Sequence, residues 1–220
     1  MREILRLEGV NKTYKDGNEI IKNSFLTIHE NESIAMVGTS GCGKTTFLQI
    51  CGLLDTATSG NIYINDKNIS LLNDNEKTAI RKNEIGFVFQ FHNLLPEFSV
   101  LENVLIPSLI DNKNLKSRAI EILNDLNLND KINNRPNQLS GGERQRVSIA
   151  RAIINNPKII LADEPTGNLD EENANNVFEL LLQVVQKYSS ALLMVTHNQE
   201  LAKKLDKIIT IQNKQVKNYI

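Results

Sequence analysis

Gly38-Thr39-Ser40-Gly41-Cys42-Gly43-Lys44-Thr45 has the spacing of a phosphate-binding loop, a Gly and any four residues followed by Gly-Lys-Thr. Its flanks supply the required context. Ser33 to Val37 reads as a short buried strand and Thr45 to Ile50 as the opening turns of a helix. The loop then lies at a helix N-terminus, where successive backbone N–H groups favour an anion. Gly38, Gly41 and Gly43 permit the backbone angles that turn those groups inward. In this motif Lys44 reaches the β- and γ-phosphates and the Thr45 hydroxyl holds Mg²⁺.

With 220 residues the chain is one large domain or a core carrying an inserted subdomain. Its net charge is −1 with acids and bases interspersed, so no basic face argues for nucleic acid as a partner. Cys42 and Cys51 lack a metal-ligand spacing, and Met1-Arg2-Glu3-Ile4 lacks the apolar core of a signal peptide, which points to a reducing cytoplasm. Beside Lys44 and a helix N-terminus, Cys42 is expected to be the reactive thiol, and Cys51 a buried small hydrophobe. The longest apolar runs, such as Ile159 to Ala162 and Leu192 to Val195, are far short of the about 20 residues that cross a bilayer, so a membrane role requires a partner.

Residues 3 to 37 alternate apolar and polar (Ile4, Leu5, Leu7; Ile20, Ile21; Phe25, Ile28) between turns at Asp16-Gly17-Asn18 and Glu30-Asn31-Glu32, which predicts antiparallel strands leading into the loop strand. Asn61 to Asn65 and Glu84 to Gln90 read as further strands. From Phe91 to Leu139 the pattern is helical, with a capping-box spacing at Ser99 and Glu102 and a second apolar face of Ala119, Ile120, Leu123 and Leu126. Pro136 closes this insert. Ser140 and Glu143 open another helix, whose buried face is Val147, Ala150 and Ile154. Ile159 to Ala162 is a buried-strand run ending on Asp163 and Glu164. A helix around Ala174, Val177, Phe178, Leu181 and Val185 leads to the strand Ala191 to Val195, which ends at Thr196-His197. Strand, helix, strand of this kind predicts a parallel α/β arrangement. Lys207 to Ile220 reads as a terminal hairpin.

Hydrolysis of a nucleoside triphosphate needs a cradle, a metal, a positioned water and a further charge or donor on the γ-phosphate. Asp163, at the end of an apolar strand, suits the acid that orients Mg²⁺. The adjacent Glu164 suits the base that polarises the attacking water, and His197 a donor to the γ-phosphate.

Leu139-Ser140-Gly141-Gly142-Glu143-Arg144-Gln145-Arg146, together with the phosphate loop, Gln90, Asp163-Glu164-Pro165 and His197, makes the chain resemble the ATP-binding subunit of an ABC transporter over essentially its whole length. The resemblance implies an α/β fold: a P-loop NTPase, RecA-like core with an antiparallel β subdomain and an inserted α-helical subdomain. Residues 1–90 and 156–220 would form the catalytic core with its β subdomain, and 91–155 the helical subdomain and signature helix. It implies ATP and Mg²⁺ as ligands. Tyr14 would stack on adenine, and the nucleotide would be held by Gly38, Thr39, Ser40, Gly41, Cys42, Gly43, Lys44, Thr45 and Thr46. The metal would sit on Thr45, Gln90 and Asp163, with Glu164, His197, Gln90 and Lys44 as catalytic groups. It implies a head-to-tail homodimer in which Ser140, Gly142 and Gln145 of one subunit complete the other's ATP site and Asn168-Leu169-Asp170 crosses the interface. Integral-membrane transporter subunits would be the further partners, at the cytoplasmic side of the inner membrane.

Gln90 to Val104 and Asp163 to Asp170 are similar to the ATPases of lipoprotein-releasing systems. Macrolide-efflux and cell-division ABC ATPases share the second stretch, while Phe91-His92 favours the lipoprotein systems. Cys42 replaces a common serine of the loop, Thr45 stands for the alternative serine, and Asn198 follows His197 where aspartate is frequent. The apolar stretch from Phe91 to Val104 either lines a groove for a coupling helix of the membrane partner or packs the helical segment through Leu94, Leu95 and Phe98. A soluble ABC ATPase acting on DNA or ribosomes would need a coiled-coil insertion or a second cassette, and neither is present. A switch GTPase would need Asn-Lys-x-Asp, yet Asn11-Lys12, Asn112-Lys113 and Asn213-Lys214 are each followed, two places on, by another residue.

Overall fold

The alternation at the N-terminus forms two long antiparallel strands, and the computed structural model carries them over Glu3–Thr13 (β1) and Glu19–His29 (β2). The structure describes residues 2–110 and 114–219. Met1, Asn112-Lys113 and the hairpin's last residue, Ile220, lie outside the described residues. β3 (Ser33–Val37) enters the phosphate loop and α1 (Lys44–Cys51) leaves it. Next come β4 (Ser59–Ile64), β5 (Lys67–Asn68), α2 (Asp74–Glu84) and β6 (Ile85–Val88). Three helices follow, α3 (Val100–Leu109), α4 (Lys116–Asp125) and α5 (Gly141–Ile153), then β7 (Ile159–Asp163) and α6 (Glu171–Lys187). β8 (Ala191–Val195), α7 (Gln199–Ala202) and the hairpin β9 (Lys207–Gln212) and β10 (Gln215–Asn218) end the chain.

The chain packs as two compact units, residues 1–81 with 191–220, and residues 82–190. In the first, β2-β1-β4-β5 form an antiparallel sheet, while β3 pairs in parallel with both β8 and β9. Ile34 to Val37 and Ala191 to Val195 are buried throughout, as strands covered on both faces must be. α1 packs Phe47, Leu48, Ile50 and Cys51 inward. In the second unit β6 and β7 pair in parallel, and α5 packs against β6, α3, α4 and α6 through Val147, Ile149, Ala150 and Ile153. Among the described residues no helix is long and apolar enough to cross a membrane.

Three features depart from the periodicity. In β2 the alternation changes phase at Asn23, whose φ is +39°, and the β1–β2 register shifts there. Ser24, Leu26 and Ile28 then turn inward, and Phe25, in phase with the buried Ile21, is 57% exposed. On α4 the buried face is Ala119, Ile122 and Leu123, with Leu126 just beyond; Ile120, expected on that face, is exposed, because its neighbours one turn along are the polar Asn124 and Asn127 as well as Leu123. Residues 66 to 83 show no periodicity to assign, yet α2 forms there. It buries none of its residues and is started by a reciprocal cap in which Glu76 N donates to Asn73 Oδ1 (3.0 Å) and Asn73 N to Glu76 Oε2 (3.1 Å).

The predicted caps form. Ser99 and Glu102 make a capping box on α3, and Ser140 and Glu143 make one on α5, where Ser140 N donates to Glu143 Oε2 at 2.7 Å and Glu143 N to Ser140 Oγ at 3.2 Å. The backbone N–H donors of Ser99, Ser140 and Asn173 hold Glu102, Glu143 and Asp170 below the ordinary carboxylate range. A depressed carboxylate pKa contributes stability that is present above the unfolded value and is lost as pH falls through the folded value. Glu143→Ala is therefore expected to cost about 1 kcal/mol at neutral pH, with the gap to the unsubstituted protein closing below pH 4.5, the ordinary glutamate value. Thermal melts at neutral and acid pH test this; a gap that persists once the carboxyl is protonated contradicts it.

Candidate active site

The first unit contains the phosphate loop. β3 ends at Val37, and Gly38, Gly41 and Gly43 all have positive φ. Gly43, at φ +104°, is the N-cap of α1 and provides no side-chain cap, so the helix opens on backbone N–H groups. A Cβ on Gly43 would stand 2.7 Å from Ile20 Cγ2, whereas one on Gly41 would meet nothing within 4 Å, so the loop is packed beneath and open above. Lys44 is buried and its Nζ donates to the carbonyls of Gly38 and Thr39, both at 2.9 Å, which curls the ammonium over the loop. This cradle fits a polyphosphate: donors and one cation line it, and no acid stands in the first turn of α1. Thr39 and Ser40 lie in the same loop, and Thr45 and Thr46 in the first turn of α1. Cys42 is half-buried with its Sγ toward Gly38, while desolvation in the core pushes the Cys51 thiol far up, as expected for an inert side chain. Tyr14 lies just past β1, partly exposed, with its hydroxyl 3.4 Å from Thr46 Oγ1. At the end of β8, Thr196 is buried and His197 exposed. Asn198 caps α7 by accepting from Glu200 N and Leu201 N, a task an amide oxygen performs as well as a carboxylate.

The second unit contains the remaining candidates. β7 delivers Asp163 and then Glu164, whose backbone adopts φ +45°, a conformation costly for a residue with a Cβ. Glu164 O accepts from Gly167 N at 3.0 Å, closing a turn that brings Gly167 back against the glutamate. A Cβ on Gly167 would lie 3.0 Å from Gln90 Nε2 and 3.2 Å from Glu164 Oε2, so the glycine leaves room where the amide and the carboxylate converge. Gln90 Nε2 donates to Asn168 Oδ1, and Asn168 Nδ2 to Gln90 O, both at 3.2 Å. The loop after β6 and the loop after β7 are thus tied to each other beside the candidate residues Gln90 and Glu164. Ser140 is exposed at the tip of α5.

Two signature residues are buried within the subunit. Gln145 is 1% exposed, and its Nε2 donates to Phe89 O at 3.2 Å, because one turn into α5 its side chain falls on the face packed against β6. It supports the segment leading to Gln90. Gly142 is buried too, with Asn173 of α6 within 3.3 Å of where its Cβ would be. Two residues not singled out from the sequence prove structural to the site. Arg151 donates to the carbonyls of His92 (2.6 Å) and Asn93 (2.7 Å), clamping the loop beyond Gln90 onto α5. Its signal was an arginine between the buried Ala150 and Ile153. The other is Lys12, a lysine in phase with the inward Val10 of β1.

The model of the family described as ABC transporter matches residues 21–167. The lipoprotein-releasing system ATP-binding protein LolD of Ehrlichia ruminantium (strain Gardel) is 47% identical over 225 residues, which cover 100% of this chain and 99% of that protein. LolD of Psychrobacter arcticus is 43% identical over 226 residues, covering 100% of each. The dimeric structure of MJ0796, a bacterial ABC transporter cassette, matches with a TM-score of 0.87 and 40% identity over 98% of this chain and 97% of that one. The same cassette in a post-hydrolysis state bound to ADP and Pi matches equally well. The chain belongs to the ABC transporter family, as one of its ATP-hydrolysing cassettes.

Proposed function

We propose that this cassette is the motor of a lipoprotein-releasing system, acting as a head-to-tail homodimer bound peripherally, at the cytoplasmic side of the inner membrane, to separate integral-membrane subunits. Full-length similarity to LolD proteins at 43% and 47% identity carries this reading. The groove alternative is supported at Phe91, 70% exposed, and in part at Leu95 and Phe98, 42% and 40% exposed, while Leu94 is half-buried and Val100 and Val104 of the same stretch pack the helical segment.

In the proposed reaction Tyr14 stacks on the adenine and residues 38–46 hold the phosphates, with Lys44 uncurling from the loop carbonyls onto the β- and γ-phosphates. Thr45, Gln90 and Asp163 offer hydroxyl, amide and carboxylate oxygens, the hard donors that Mg²⁺ prefers; when bound, the metal neutralises charge on the phosphate oxygens. Glu164 accepts a proton from the attacking water as the γ-phosphoryl group leaves ADP, and His197 donates a hydrogen bond to that group. Ser140, exposed at the tip of α5, serves the nucleotide of the second copy, with Gly142 and Gln145 behind it in the same signature segment. Residues 91–155 act as the helical subdomain within the second compact unit.

Co-purification with membrane subunits tests the reading. Subunits of a lipoprotein-releasing complex are expected; capture of macrolide-efflux or cell-division subunits instead would overturn the lipoprotein assignment. Phe98→Asp is expected to weaken that capture by about ten-fold or more, as loss of a buried interface anchor does, and to change hydrolysis by the isolated cassette far less. Normal capture of a folded Phe98→Asp protein would remove Phe98 from the docking groove.

A further inference from the structure

Tyr14 begins the turn after β1, where its backbone bonds stay within the turn: Tyr14 N donates to Asn18 O and Gly17 N to Tyr14 O. Strand pairing therefore does not orient its ring, and two side chains do. The hydroxyl reaches Thr46 Oγ1, and Lys12 Nζ stands 4.8 Å from the ring centroid. Lys12 is itself fixed. It is 8% exposed, and its ammonium donates to Asp55 Oδ1 at 2.5 Å and to Thr56 O at 2.8 Å. With its charge matched by Asp55, this lysine is committed to the ring and the loop at 55–56, and is not a phosphate ligand. Tyr14 keeps 41% of its surface exposed although one face is covered.

A cation over an aromatic face is attracted by the ring's quadrupole. It also draws π density to its own side, which makes the opposite face a better platform for the electron-rich face of a purine. We propose that Lys12 is a positioning residue for the nucleotide base: pinned by Asp55, it covers one face of Tyr14 and sets the other for stacking. The inference rests on the reading that Tyr14 stacks on adenine. A ring held in place before binding has less freedom to lose when the base arrives, so the contribution falls on affinity and not on the chemical step.

The test compares equilibrium affinities of the full-length protein for ATP and for inorganic tripolyphosphate, which has no base. Lys12→Gln is expected to weaken ATP about three-fold, the size of an exposed cation–π contact, to leave tripolyphosphate unchanged, and to leave kcat unchanged; Lys12→Arg should restore ATP affinity. If the unpaired Asp55 carboxylate prevents folding, the double variant Lys12→Gln with Asp55→Asn retains an amide pair and serves the same comparison. Tyr14→Leu should weaken ATP about ten-fold through lost stacking, and adding Lys12→Gln to it should have no further effect. Parallel losses of ATP and tripolyphosphate would mean that Lys12 only supports packing and would overturn the proposal. An ATP affinity that responds to Tyr14→Leu and ignores Lys12→Gln would overturn it while sparing the base-stacking reading. An ATP affinity indifferent to Tyr14→Leu would remove both.

Discussion

Glu164→Gln is expected to bind ATP as the unsubstituted protein does and to lose turnover by a hundred-fold or more, the low end of what a positioned general base contributes being about 10². The amide preserves the shape of the side chain packed against Gly167, where the Cβ position lies 3.2 Å from Glu164 Oε2, so the turn from Glu164 to Gly167 and the bonds between Gln90 and Asn168 persist. What is lost is the capacity to take a proton from water. Binding without hydrolysis should trap the closed state, and sizing chromatography with ATP and Mg²⁺ should show dimer accumulating. A variant hydrolysing at the unsubstituted rate would move the base to another residue. One that remains monomeric with ATP bound would count against closure by a nucleotide sandwich.

The second large effect is expected at Ser140. An arginine there should leave ATP binding by the subunit's own loop intact and abolish cooperative hydrolysis, since its bulk would enter the site that Ser140 is proposed to complete in the second copy. The structure complicates this substitution, because Ser140 is also the N-cap of α5. Losing the cap costs about 1 kcal/mol, and α5 carries Gln145 and Arg151, which grip the carbonyls of Phe89, His92 and Asn93 around Gln90. Ser140→Asp separates the two roles. Aspartate caps as well as serine, so α5 stays intact while the carboxylate faces the partner's γ-phosphate and repels it. Both variants should therefore fail in turnover, and only the arginine should melt earlier. If Ser140→Asp hydrolyses normally, Ser140 is a cap alone; if either variant loses monomer ATP affinity in step with activity, the assignment to a second copy's site is wrong.

The legible parts of this protein are those whose physics is local. A phosphate loop needs only contiguous residues from Gly38 to Thr45 with a strand before and a helix after, and a capping box needs only Ser140 and Glu143 three places apart. Both stand in the structure as the sequence predicts. Ile159 to Ala162 and Ala191 to Val195 were equally plain, because a strand buried on both faces is apolar at every position. Tertiary structure decided what depends on a neighbour distant in the chain. Gln145 looks like any polar residue one turn into a helix, and only the packing of α5 against β6 turns it inward to Phe89. Phe25 lost its place on the apolar face to a bulge at Asn23 that no alternation rule registers. Lys12 and Asp55 are 43 residues apart in the chain, so their pairing, and with it the support beneath Tyr14, came into being only with the fold. A hydrogen bond from a side chain to a remote carbonyl leaves no periodicity in the sequence, so the residues that hold the site in place are fixed by the tertiary structure alone.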